Sequence, residues 1–255
     1  MACLRVSNHD SLQDFLNLIA NNPMNPETDK SHREKQYDTC LRLREKQGLT
    51  QLGSMTNWAW HDDPRRLTWL LARYKFVSKM LSGCNTALEV GCADAFASRV
   101  VLQEVPNLKV IDFDPIFIDE VKDKMDDKWR FEAQHHDILS GPVEPRNFDA
   151  AFTLDVIEHI SVEHEEQFLT NITNSLNSNG ILVVGTPSLE SQEYASEHSK
   201  KGHVNCKSAP EWKSLLQKHF NHVFSFGMND EVVHTGFHKM SQYLLMLCVG
   251  KNKVY

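Results

Sequence analysis

Apolar and polar positions along the 255-residue chain fall into two regimes. From Ala87 onward, short and nearly continuous apolar runs alternate with stretches of helical period. The runs predict strands at Ala87–Val90, Leu108–Asp112, Arg130–His135, Phe148–Leu154 and Gly180–Thr186. Strands alternating with amphipathic segments imply crossover helices and a parallel sheet. Val223–Gly227 and Gln242–Gly250 read as a terminal hairpin. Before about Thr68 the pattern differs. Ser11–Ile19 has helical period behind a serine cap, Asn21–Pro26 is a loop, and a charged helix is expected from about Asp29 to Gln47. Trp58–Pro64 then leads into a strongly amphipathic helix, Arg65–Val77. The expected organisation is a helical N-terminal extension, residues 1–68, and an α/β domain, residues 69–255.

The strand at Ala87 carries the most information. Ala87-Leu-Glu-Val-Gly-Cys-Ala-Asp-Ala-Phe96 is a buried strand bearing an acid, followed by a tight turn and a helix. Glycine at position 91 lets the backbone approach a ligand that a Cβ would exclude. About twenty residues further on, a second strand ends in Val110-Ile-Asp-Phe-Asp-Pro115, where an acid accepts hydrogen bonds from ribose hydroxyls. With these residues the chain resembles the class I S-adenosylmethionine-dependent methyltransferases. The family's acid-x-Gly-x-Gly-x-Gly is here Glu89-x-Gly91-x-Ala93-x-Ala95.

The resemblance covers roughly Phe76 to the C-terminus. It implies a Rossmann-like α/β fold with a mostly parallel seven-stranded sheet and a helical lid from the N-terminal segment. It implies S-adenosyl-L-methionine as cofactor and a binding set of Arg73, Glu89, Gly91, Cys92, Ala93, Asp112, Phe113, Asp137 and Asp155. Glu89 would shape the methionine end, Asp112 bind the ribose and Phe113 lie against the adenine. Asp137 either accepts from the adenine amino group or caps a helix. Arg73 and Lys75 either reach the cofactor carboxylate or belong to a solvated helix face.

Composition narrows the partners. A formal net charge of −7 argues against a general nucleic-acid binder. The six cysteines form no C-x-x-C pair and read as reduced cytosolic thiols. No apolar run reaches the length of a membrane span, and Met1–Arg5 begins no signal peptide. A cytoplasmic enzyme is expected.

The chemistry should sit in Asp155-Val-Ile-Glu158-His159, at a strand's carboxyl end, and in Lys201-Gly-His203-Val-Asn205. Two mechanisms are open. In one, His203 or His159 is the general base. In the other, Glu158, His159 and His203 hold a divalent cation (Mg or Mn) that lowers a hydroxyl pKa. Acid-x-x-Glu-His with a later His is similar to the metal site of small-RNA 2′-O-methyltransferases. Against both stands a supporting role in which Glu158 and His159 cap the next helix.

Asn229, Glu231 and His234 in Gly227–His238 would line a polar acceptor pocket or form a plain hairpin loop. Trp58, Trp60 and Trp69 would stack on a sugar ring or pack in the core. The expected acceptor is a sugar hydroxyl of a glycan or glycan precursor, as in methyltransferases associated with glycan synthesis. The alternatives are an RNA 2′-hydroxyl, a quinone-type small molecule, and a non-catalytic methyltransferase-like partner subunit.

Overall fold

The computed structural model describes residues 34–125 and 128–252. The segments Ser11–Ile19 and Asn21–Pro26, and the start of the helix expected at Asp29, lie outside the described residues. The chain divides into two compact units, 1–50 and 51–255. In the first unit a short 3₁₀ turn, Lys35–Tyr37, leads into helix α1, Asp38–Gln47, which buries none of its residues.

The second unit opens with α2 (Ser54–Asp62) and α3 (Arg65–Met80). Strands and helices then alternate: β1 (Thr86–Val90), α4 (Ser98–Val101), β2 (Asn107–Asp112), α5 (Pro115–Asp123), β3 (Glu132–His135), β4 (Phe148–Leu154), α6 (Val162–Ser175) and β5 (Leu176–Pro187). Helices α7 (Glu197–Gly202) and α8 (Ala209–Leu216) precede β6 (Phe220–Asn229), β7 (Val232–His234) and β8 (Tyr243–Lys251). The sheet order is β3-β2-β1-β4-β5-β8-β6-β7. The five strands from β3 to β5 are parallel, and β8 inserts antiparallel between β5 and β6.

The fold is the expected α/β Rossmann-like methyltransferase fold, with one correction: the sheet has eight strands, not seven. The extra strand, β7, pairs antiparallel with β6 inside the stretch read as a loop. Three residues in a polar segment carry too little apolar period to announce a strand.

Alternation along each strand divides the core between two faces. Leu88, Val90 and Ile111 pack with Phe168, Leu169 and Ile172 of α6 and with Trp212 of α8. Ala87, Val110, Phe152 and Leu154 pack on the other face with Tyr74, Val77, Val101 and Ile118. Phe152, Phe168 and Trp212 are fully buried, and each contributes about 2–3 kcal/mol by leaving water. Glu89 and Asp112 share the parity of Ala87 and Val110, so both acids lie on the face covered by α3 and α4. Strand order reverses between β1 and β4, and the crevice outside their carboxyl ends is where open α/β sheets bind ligands. No helix among the described residues is long and apolar enough to cross a membrane.

Candidate active site

The turn after β1 is built from left-handed residues. Gly91 has φ +78°, Ala93 +45° and Ala95 +50°. Each alanine pays roughly 1–2 kcal/mol for that conformation, a strain held in place by hydrogen bonds. Gly91 and Cys92 donate their N–H groups to the Ile111 carbonyl (2.9 and 3.1 Å). Ala93 N–H donates to Asp112 Oδ2 (2.8 Å). The glycine at 91 has a second reason besides ligand approach: a Cβ there would lie 2.3 Å from Val156 Cγ2.

Asp112 also accepts from Asp114 N–H through Oδ1 (3.0 Å), so backbone amides fix both carboxylate oxygens. Beside it lies a cleft whose walls include Gly91, Asp112, Phe113, Asp137, Ile138 and Val156. Phe113 is 71 % exposed at its rim. Asp137 caps a 3₁₀ turn, accepting from Leu139 N–H (2.9 Å), and lines the cleft as well. An apolar slot with an uncovered aromatic face and an oriented carboxylate fits an adenosine moiety. A larger hollow of about 430 Å³ lies at the amino ends of the strands, around Thr86, Asn107 and Phe148, away from all these residues.

Glu89 is 1 % exposed. Tyr74 Oη and Ser98 Oγ each donate to it (2.5 and 2.6 Å). Burial still pushes its carboxyl up to about 7, against the pull of those two donors.

Arg73 pairs with Asp155 Oδ2 (2.6 Å) and lies 3.8 Å over the Tyr243 ring. Its guanidinium is thus engaged by the end of β4, where Asp155 itself has φ +56°. Lys75 is exposed on the solvent face of α3, the plainer of its two readings.

The acceptor half centres on a 3₁₀ turn, Ile157–His159, directly after Asp155 and Val156. Glu158, His159 and His203 each offer a ligand atom, and these atoms lie within 4.8 Å of one another. Val204 and Asn205 N–H groups both donate to the Glu158 carbonyl (2.8 and 3.0 Å), which brings His203 against the turn. His159 Nδ1 faces the Gly202 carbonyl (2.9 Å) and His203 Nδ1 faces Gln192 Oε1 (2.8 Å). A nitrogen facing a carbonyl must carry the proton, which leaves Nε2 of each ring as a lone-pair donor. This outer hydrogen bonding is what orients metal-binding imidazoles.

Glu158 is buried. Oε2 accepts from Thr186 Oγ1 (3.3 Å), while Oε1 has no protein partner. Burial and then the Asp155 charge raise its carboxyl to about 8. Burial and the neighbouring His159 lower the His203 imidazole, favouring the neutral form that a base or ligand needs.

The C-terminal candidates bond to one another instead. His234 Nε2 donates to Asn229 Oδ1 (2.7 Å) and Gly236 N–H donates to His234 Nδ1 (3.0 Å), while Glu231 is exposed. Trp69 packs against the core; Trp58 and Trp60 are about half exposed. Tyr74, Gln192, Thr186 and Tyr243 were not singled out by the sequence. The spacing of α3 puts Tyr74 beside the sheet, but nothing local marks Gln192 as the partner of His203.

By sequence, residues 87–180 match the family described as a methyltransferase domain. No curated protein matches the chain. Among solved structures the fold is similar to the N-methyltransferase NodS from Bradyrhizobium japonicum WM9 bound to S-adenosyl-L-homocysteine. The two are 20% identical over 77% of this chain and 92% of that one, with TM-score 0.54. The methyltransferase domain of bacterial CtHen1-C is 15% identical over 72% of this chain and 98% of that one, with TM-score 0.56. The plantazolicin methyltransferase BpumL, in complex with a triazolic desmethylPZN analog and S-adenosyl-L-homocysteine, is 13% identical over 78% and 90%, with TM-score 0.58. The matched domain, the fold and the cleft at the turn after β1 together make this chain an enzyme, an S-adenosylmethionine-dependent methyltransferase of class I architecture.

Proposed function

We propose that the enzyme methylates a sugar hydroxyl that has a second hydroxyl beside it, in a glycan or glycan precursor, with help from a divalent cation. The observation that carries this reading is the Glu158–His159–His203 cluster. Nδ1 of each imidazole faces a carbonyl, which leaves Nε2 as the lone-pair atom of the neutral ring, and Glu158 Oε1 is buried without a partner. One carboxylate and two imidazoles suit a first-row divalent ion, and the carboxylate with acceptor oxygens suits Mn²⁺ among them. An orphaned buried carboxylate oxygen is costly alone and is satisfied by a ligand cation. When bound, the cation would lower the pKa of an acceptor hydroxyl. Glu158 would hold the cation as its carboxylate, releasing the proton that burial keeps on that group, beside the neutral His203 that burial favours. Arg73 holds Asp155 in its left-handed conformation at the end of β4, and α2, part of the N-terminal extension expected as a lid, lies against the turn after β1 through Thr56 and Asp94. Without the cation, His203 Nε2 would serve as general base, the second reading of the same residues.

A sugar is favoured over RNA by the charges around the site. Arg65 pairs with Asp63, Arg66 with Asp62, Arg73 with Asp155 and Lys200 with Glu197, which leaves Lys201 as the cation of this set without an ion pair among the described residues. Cations already matched to carboxylates add little phosphate affinity. A panel decides the acceptor: oligosaccharides with a vicinal diol, the same sugars lacking one of the two hydroxyls, single-stranded RNA and a quinol, each scored by mass for methyl gain. Methylation of the diol sugars alone supports the reading. Methylation of RNA with none on any sugar sinks it.

A further inference from the structure

The turn after β1 carries a buried carboxylate outside the proposed cofactor set, Asp94, engaged by another element. Asp94 sits between the left-handed Ala93 and Ala95 and is 8 % exposed. Its Oδ2 accepts from Thr56 N–H (2.7 Å), and its Oδ1 accepts from the Thr56 hydroxyl (3.0 Å) and from Phe96 N–H (3.1 Å). Thr56 lies in the first turn of α2, where N–H groups have no partner within the helix. The residue at the N-cap position is Gly53, which has no side chain to supply one. Asp94 therefore caps a helix whose Thr56 is 38 residues away in sequence. A second acid, Glu120 of α5, accepts from Ser54 N–H (2.7 Å). Both acids face the positive end of the helix. The fit is close: a Cβ on Gly53 would lie 2.0 Å from Asp94 Cβ.

The contacts continue on both sides. Ala93, next to Asp94, donates to the ribose acid Asp112. On α2, the Trp58 ring faces His198 of α7 at 6.3 Å between centroids, with the Arg66 guanidinium 4.9 Å from the same ring. Helix α7 ends at Gly202, whose carbonyl accepts from His159, and His203 follows it. One run of contacts joins the cofactor turn, α2, and the helix that delivers His203.

Building on the cofactor identification, we infer that Asp94 is a positioning residue. It holds α2 over the cofactor turn and, through Trp58 and His198, sets α7 and His203 in register, so that cofactor binding orders the acceptor side. Two substitutions approach the contact from opposite sides. Asp94→Ala removes the cap from the turn. Gly53→Ala presses α2 away from the same carboxylate and leaves the turn's sequence unchanged; Gly53 has φ −75°, which alanine adopts freely.

Hydrogen exchange on the full chain, with and without S-adenosylhomocysteine, tests the coupling. In the unaltered protein the ligand slows exchange at 91–95, 54–62 and 197–203. In Asp94→Ala, exchange at 54–62 rises about tenfold, as expected for a lost helix cap; protection persists at 91–95 and vanishes at 197–203. Gly53→Ala does the same, and Asp94→Asn, which keeps one oxygen acceptor, falls between. The acceptor KM rises more than kcat falls. Protection at 197–203 that survives in both Asp94→Ala and Gly53→Ala overturns the coupling. If Asp94→Ala loses protection across the whole sheet, Gly53→Ala decides alone. An unaltered protein with no protection at 91–95 fails the cofactor identification instead, and the inference falls with it.

Discussion

Glu89, which the proposed site places at the methionine end, is a buried acid that costs the fold stability. Its carboxyl titrates at about 7 in the fold against an ordinary 4.5. Between those values the folded protein keeps a proton that the unfolded chain has lost, so stability falls as pH rises through that window. The full cost, about 3 kcal/mol, is present above pH 7. Glu89→Gln has no such charge to bury. The cofactor-free variant should melt above the unaltered protein at pH 8, the difference shrinking toward pH 5, while affinity for S-adenosylhomocysteine falls. A melting difference that does not change with pH contradicts this account of Glu89. At the acceptor side, Glu158→Gln and His203→Ala should each lower turnover by at least about 100-fold. Both should also abolish Mn²⁺ binding in calorimetry. If Glu158→Gln keeps nearly full activity while His203→Ala does not, His203 acts as a base alone.

The connection from β1 to its turn is the element on which the cofactor site depends. Gly91→Ala introduces two separable faults: a left-handed alanine, and a Cβ 2.3 Å from Val156 Cγ2. Together they should cost about 2–4 kcal/mol in urea unfolding. Trimming Val156 to alanine relieves the contact but not the backbone conformation. Val156→Ala should therefore cost less in the Gly91→Ala background than alone, a coupling read from the double-mutant cycle. Simple additivity would mean that Val156 already moves aside. The strand itself was legible, because Ala87–Val90 is a continuous apolar run around one acid. The same holds for Phe148–Leu154, which matches the observed strand at both ends. By contrast, β7 is three residues within a polar loop, with no period to read. The roles of Asp94 and Gln192 were hidden for another reason: their partners, Thr56 and His203, meet them only after the chain has folded.

Across the whole molecule, the sequence marked two candidate segments, and the fold brings Glu158, His159 and His203 together. The strand reversal between β1 and β4 sets Gly91 against Val156, the residue after Asp155. The backbone bonds from Val204 and Asn205 to Glu158 bring a distant histidine to the same edge. The residue types at 158, 159 and 203 were legible as a base or a metal set. Their tautomers were not, since these depend on the Gly202 carbonyl and on Gln192. That arrangement makes the central claim a claim about a cation. The most direct test is the rate of methyl transfer to a diol-bearing sugar by protein stripped of metal, measured in excess chelator and again after adding Mn²⁺. The account predicts a rate near background in chelator and recovery on metal addition. Full activity in chelator would contradict it and leave His203 as the base.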